Sequence, residues 1–275
     1  MNEALAGSAS GWEAQLKLGF RHNGVKTVLA RRSHRGPLMV QRPFYPEGEL
    51  CHVYLLHPPG GIVAGDRLAI DVHAADKAEA LLTTPAAGKF YRSAGLFADQ
   101  TVTLKIDDGA SLEWLPQETI IYEGARLNSG IDIELAGDAR FIAWEILALG
   151  RPAAGEGFDV GEAFLRWRIT RDAKPVYLET MRLGSESFAA CWGLNKHSVC
   201  GTLFACSAGA DQRNAVREII GDAPGRGVTL IDDLLICRAV ENGTEPIRRF
   251  FEQVRAAIRA VIIRRENHTP RIWTT

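Results

Sequence analysis

The chain has 275 residues, 46% of them hydrophobic and 24% charged. That is ample material for a core, so intrinsic disorder and the disulfide-stapled mini-protein class are excluded. Lys and Arg number 32 against 33 Asp and Glu, a net charge of −1. The basic surplus that a large nucleic-acid or anionic-membrane footprint needs is missing.

The first residues, Met1 to Gly11, are small and polar with no apolar h-region. Neither a signal peptide nor an anchor is expected there, and residues 1–10 are expected to be flexible. No uncharged run reaches the roughly 18 to 20 residues of a membrane span. Five cysteines, an odd number with no C-x-x-C, argue against a disulfide framework and fit a reducing cytoplasm. Charge is uneven: residues 1–45 hold seven Lys or Arg and two Asp or Glu, +5, which leaves −6 for the rest. Such asymmetry suits orientation of partners by charge complementarity.

Val25 to Val40 and Leu50 to Leu56 read as short strands bounded by Gly and Pro clusters. A weak repeat follows. Ile70 to Thr83 (IDVHAADKAEALLT), Val102 to Leu115 (VTLKIDDGASLEWL) and Ile131 to Trp144 (IDIELAGDARFIAW) align without gaps, at offsets of 32 and 29 residues. Each is an alternating apolar run, a small or acidic turn closed by Ala, and a second apolar run. A period of this size predicts one supersecondary unit that buries its face only by stacking on its neighbour. Within a unit the pattern reads as strand, tight turn, strand.

Near the end the pattern turns helical. Asp211 to Ile220 is predicted as a helix stopped by Gly221. Val228 to Val240 reads as one buried strand interrupted by Asp232-Asp233. A second helix is predicted from an N-cap at Thr244-Glu245-Pro246 to about Arg265. Ile247, Phe250, Phe251, Val254, Ile258, Val261 and Ile262 form its apolar face, and Arg248, Arg255, Arg259 and Arg264/Arg265 occupy much of the rest. The fold predicted is mainly β, a β-helix-like stack of strands with two α-helices near the C-terminus. The chain is read as a single domain, with a β-rich body at 11–208 and a helix–strand–helix section at 209–275.

Several chemistries lack their signatures. There is no G-x-x-x-x-G-K-[ST], no G-x-S-x-G and no H-E-x-x-H. Gly221, Gly225 and Gly227 lack the strand-then-helix setting of a dinucleotide fingerprint. His52 and His57 are five apart, so a strand sends them to opposite faces. Cys200 and Cys206 share a face at best, with Cys191 and His197 nearby. Their spacing is too loose for a closed zinc-type site, so no tight metal site is expected.

Three segments carry more Gly, Pro and polar groups than a strand body needs. In His57 to Asp66 (HPPGGIVAGD) the prolines and glycines enforce an irregular path ending on Asp66, which also suits an acid bonding turn N–H groups. Thr83 to Ser93 (TTPAAGKFYRS) gathers hydroxyls with Lys89, Tyr91 and Arg92, a mixture fit to bind an anion or dock a partner. Gln117 to Arg126 (QETIIYEGAR) and Glu145 to Glu156 (EILALGRPAAGE) follow the second strand of a repeat unit. Gln117, Glu118 and Glu145 are therefore expected at corresponding corners, a ladder of oxygens able to hold a divalent cation weakly. The plainer alternative is that the corner acids pair with Arg126 or Arg151.

Taken in series, these segments and the terminal PRIWTT (Pro270 to Thr275) resemble the urease accessory protein UreD family, called UreH in some systems. The resemblance runs from about Leu16 to the end of the sequence. It implies a cytoplasmic, non-enzymatic metallochaperone scaffold that helps deliver nickel to apo-urease together with UreF and the GTPase UreG. It also implies a polar internal path for transient Ni²⁺ and no tightly bound cofactor. Carried over by motif position, Asp66, Thr84, Gln117, Glu118, Tyr122, Glu145 and Glu156 are the functional polar candidates, with Glu179 of YLETMRL a weaker one. Lys89, Tyr91, Arg92 and Arg151 are candidates for partner docking. Two rivals remain: a hydrolase or lyase using Asp66 or Glu118 as base, and a purely structural scaffold with no nickel contact.

Overall fold

A computed structural model of the chain describes residues 11–151 and 154–274. The expected flexibility of residues 1–10 lies outside them. In chain order the strands are β1 (Glu13–His22), β2 (Thr27–Arg35), β3 (Met39–Val40), β4 (Cys51–Leu56), β5 (Arg67–Ala74), β6 (Glu79–Thr83), β7 (Gly88–Phe90), β8 (Ala98–Ile106) and β9 (Ser111–Leu115). They continue with β10 (Thr119–Ile121), β11 (Arg126–Leu135), β12 (Arg140–Leu149), β13 (Glu162–Arg171) and β14 (Lys174–Leu183). Helix α1 (Ser185–Ala189), β15 (Val199–Cys206), α2 (Ala210–Ile220), β16 (Arg226–Ile231), β17 (Leu234–Glu241), α3 (Thr244–Ile262) and a 3-10 turn (Arg271–Thr274) complete the order.

The strands form a β-solenoid of about four turns. One sheet runs β14-β13-β11-β8-β5-β1-β2, the other β16-β17-β15-β12-β9-β6-β4-β3. The three repeat units stack in the register their alignment predicts. Ile70 lies beside Val102 and Val102 beside Ile131, while Leu81 lies beside Glu113 and Glu113 beside Ile142. The two strands of a unit do not pair with each other as a hairpin. Each pairs in parallel with its counterpart in the next unit, on opposite sheets.

The turn between them explains the repeat's composition. Ala78, Ala110 and Ala139 each donate an N–H to the carbonyl three residues earlier, on Ala75, Asp107 and Ala136. All three alanines are fully buried, where a larger side chain would part the coils. Gly109 supplies the left-handed residue of its turn (φ +69). Aspartates tie one turn to the next: Gly109 N–H donates to Asp138 Oδ1 at 2.7 Å, and Asp138 N–H to Asp108 Oδ1 at 2.9 Å.

Burial follows from what covers each sheet. The seven-stranded sheet has one face toward water, and β1, β5 and β13 alternate exposed or half-buried residues with buried ones. The other sheet is covered on both faces, by the first sheet and by α3, so β9 and β15 are buried throughout. Gly201 lets α3 approach: a Cβ there would stand 2.8 Å from Ile247 Cγ2 and 2.9 Å from Phe251 Cε2.

Two readings need correction, and two features were not read at all. Val228 to Val240 is a hairpin of β16 and β17 rather than one strand, and Asp232-Asp233 is its turn, with Asp232 left-handed at φ +50. The last helix is capped by Gly243 and ends at Ile262, short of Arg265. A third, five-residue helix, α1, precedes the two expected ones.

The other unread feature is the polar side of α3. Arg255 and Arg259 are buried. Both grip Glu113 of β9: Arg255 Nε donates to Oε1 at 2.6 Å and Arg259 Nη2 to Oε2 at 2.9 Å. Arg259 also holds Glu47, which bonds His52 Nε2 at 2.7 Å. The burial of Glu113 works against its charge, but the two guanidiniums win and hold its carboxyl below the ordinary range. α3 is thus fixed to the sheet by an apolar stripe and by a buried ion cluster.

Candidate functional site

The space between the two sheets is not completely filled. A first cavity of about 300 Å³ is lined by His57, Thr84, Lys89, Trp114, Gln117 and Glu145 among others. A second, of about 470 Å³, is lined by Glu145, Trp167, Glu179, Cys200, Thr202 and Arg238 among others. Glu145 is a wall of both.

Its position follows from strand alternation. On β12, Trp144 and Ile146 pack in the core under α3, while Ala143 and Leu147 belong to the core between the sheets. Glu145 has the parity of the latter and so enters the interior. It is not a corner residue as the repeat suggests, because β12 runs straight on to Leu149 whereas β9 stops at Leu115. Trp167 Nε1 donates to Glu145 Oε2 at 3.1 Å. Burial, opposed by that hydrogen bond and helped by the charge of Glu179, pushes the Glu145 carboxyl up to about 7. Desolvation is the largest of these effects.

Glu179 reaches the second cavity from β14 and is paired with Arg238 of β17, Nη2 to Oε1 at 2.5 Å. The same Nη2 donates to Tyr177 Oη at 2.7 Å. Cys200 lies beside them, its thiol pushed up to about 12 by burial, with the charges of Glu145 and Glu179 adding to the shift. In the first cavity Gln117 N–H donates to Thr84 Oγ1 at 2.9 Å, and Arg248 Nη1 of α3 donates to Gln117 Oε1 at 3.3 Å. Burial lowers His57 at the cavity wall, against the pull of Asp66.

Thr84, Lys89, Gln117, Glu145 and Glu179 are therefore brought together around the interior. The other candidates are not. Asp66 sits in a separate outer hollow with Pro59 and Tyr91. Its carboxylate accepts the Trp12 N–H at 2.8 Å and the Val63 N–H at 3.0 Å, the turn role open to it from sequence. Glu118 lies at a loop where its carbonyl accepts the Gly88 N–H. Tyr91, Tyr122, Arg151 and Glu156 form a chain of contacts of their own. Tyr91 meets Tyr122 edge-on at 4.9 Å, Arg151 lies 4.6 Å from the Tyr122 ring centre, and Arg151 Nε donates to Glu156 Oε2 at 2.6 Å. Glu156 is a corner acid paired with arginine. Arg92 is exposed and packs against Gly124.

Sequence reasoning missed Trp167, Cys200 and Arg238 as cavity residues, and Glu113 with its arginines. Two of these carried a signal. Arg238 is the one charge within LLICRAV, and Glu113 holds a repeat position where the neighbouring units have Leu81 and Ile142. Among the described residues no group of three or more His, Cys, Asp or Glu is placed to hold a metal ion, and no helix is long and apolar enough to cross a membrane.

Comparison with known proteins gives this architecture a family. Residues 13–274 match the family described as UreD urease accessory protein. The chain is 44% identical to the urease accessory protein UreD of Hahella chejuensis, over 97% of this chain and 92% of that protein. It is 42% identical to the UreD of Alcanivorax borkumensis, over 100% and 96%. It is 40% identical to urease accessory protein UreD 2 of Brucella anthropi, over 97% and 100%. With a family match spanning nearly the whole sequence and relatives of this identity over more than nine-tenths of their length, the chain belongs to the UreD urease accessory protein family.

Proposed function

We propose that this chain is a non-enzymatic metallochaperone scaffold of urease maturation. It works in the cytoplasm in a complex with UreF and the GTPase UreG, and hands Ni²⁺ to apo-urease. Nickel is cargo here and not a resident cofactor. The observation that carries the reading is Glu145, an ionisable carboxyl inside the solenoid that lines both cavities. A buried carboxyl is costly without a purpose, and one held near pH 7 can exchange its proton for a passing cation.

The donor set suits passage rather than storage. Thr84, Gln117, Glu145 and Glu179 offer oxygens, which bind a borderline cation more weakly than thiolate or imidazole would. A relay needs sites that release. The exposed edge strand β2, with Arg31, Arg32 and Arg35, and the Tyr91–Tyr122–Arg151 contacts supply surfaces for protein partners.

One observation favours a second reading, a scaffold without nickel contact. The described residues hold no cluster of three ligands. The test is urease activity in cells lacking only this chain, with and without added nickel. Activity is expected to be lost while urease protein persists, and to return when the chain is supplied. Full activity without the chain would overturn the maturation role.

A further inference from the structure

A clasp between the sheets forms part of the wall of the second cavity. β14 is the terminal strand of one sheet and β17 the penultimate strand of the other. Arg238 Nη2 spans them, bonding Glu179 at 2.5 Å and Tyr177 at 2.7 Å. A guanidinium on a cation's route repels the cation, and both compete for the same carboxylate. Arg238 is free to leave. Its side chain is 45% exposed, so the path into solvent is short and departure restores hydration. Gly227, opposite it on β16, has open space where a Cβ would stand. A separate contact, Arg171 to Asp233 at 3.0 Å, still joins the sheets when this one opens.

We propose that Arg238 is a cation-displaced gate: a divalent cation arriving from Glu145 takes Glu179, and the guanidinium swings into solvent and widens the second cavity. The gate rests on the interior route proposed above. It also makes the route selective, because a monovalent cation gains too little from Glu179 to displace a guanidinium bonded at two points.

Equilibrium dialysis of the full chain against Ni²⁺ alone tests both ideas separately. Arg238→Met keeps the aliphatic stem and removes the charge. It is expected to bind Ni²⁺ about tenfold more tightly than wild type, and the gain is expected to vanish in Arg238→Met combined with Glu179→Gln. Unchanged or weaker binding by Arg238→Met, alongside weakened binding by Glu145→Gln, overturns the gate and leaves the route standing. Wild-type binding by both Glu145→Gln and Glu179→Gln removes the route, and the gate with it. A measurement on the wild-type chain does not depend on any variant folding. Ni²⁺ is expected to speed hydrogen exchange in residues 174–183 and 234–241, and unchanged or slower exchange there overturns the gate.

Discussion

Glu145 carries a pH signature that can be worked out from its surroundings. Burial raises its carboxyl from 4.5 to about 7, so between those values the folded chain holds a proton that the unfolded chain has released. Stability from this residue is greatest below pH 4.5, falls as pH rises, and levels off above about 7. Glu145→Gln removes the buried charge and can still accept the Trp167 N–H. The variant's melting advantage over wild type is expected to be about 5–10 °C larger at pH 8 than at pH 5. A gap that does not change with pH contradicts this environment. At this scale the sequence was informative in part. Glu145 stood out as a carboxylate closing an apolar run, but its inward direction depended on β12 continuing four residues past it, to Leu149.

At the scale of elements, α3 shows what periodicity can and cannot reveal. Its apolar stripe was legible except at Val261, which is exposed; Ile247, Phe250, Phe251, Val254, Ile258 and Ile262 are all buried. Its arginines were not, because Arg255 finds its partner Glu113 142 positions away, at a separation no local pattern reports. Removing one partner of a buried ion cluster strands the others. Glu113→Ala leaves two buried guanidiniums short of a counter-ion and is expected to cost about 3–5 kcal/mol in urea unfolding. A loss below about 1 kcal/mol would mean that water reaches the cluster. The cluster also resists acid. Burial of Glu47 is outweighed by its bonds to His52 and Arg259, and its carboxyl lies at about 2. Its contribution is present above pH 4.5 and lost as pH falls through about 2. Gly201→Ala tests the same junction from the apolar side. The new methyl presses on Ile247 and Phe251, and a loss of about 1–3 kcal/mol is expected in the same unfolding experiment.

The whole molecule joins a repeat that the sequence displays to an interior that it hides. Offsets of 32 and 29 residues already fixed how the central coils stack, because strand register in a solenoid is set by one turn meeting the next. The ends were less legible. β2 and β14 turn back antiparallel, and the extra strands β16 and β17 widen the second sheet beyond the repeat. The cavities could not be read at all. They arise where Thr84, Gln117, Glu145, Glu179, Cys200 and Arg238, scattered over four strands and two loops, meet between sheets. The most direct measurement is the nickel content of urease purified from cells whose only copy of this chain carries Glu145→Gln and Glu179→Gln, with the variant still co-purifying with urease. The interior route predicts urease present at normal levels with at most about a tenth of the wild-type nickel, a factor of ten corresponding to about 1.4 kcal/mol. Urease fully loaded with nickel by that variant would contradict the route and leave a scaffold that never touches the metal.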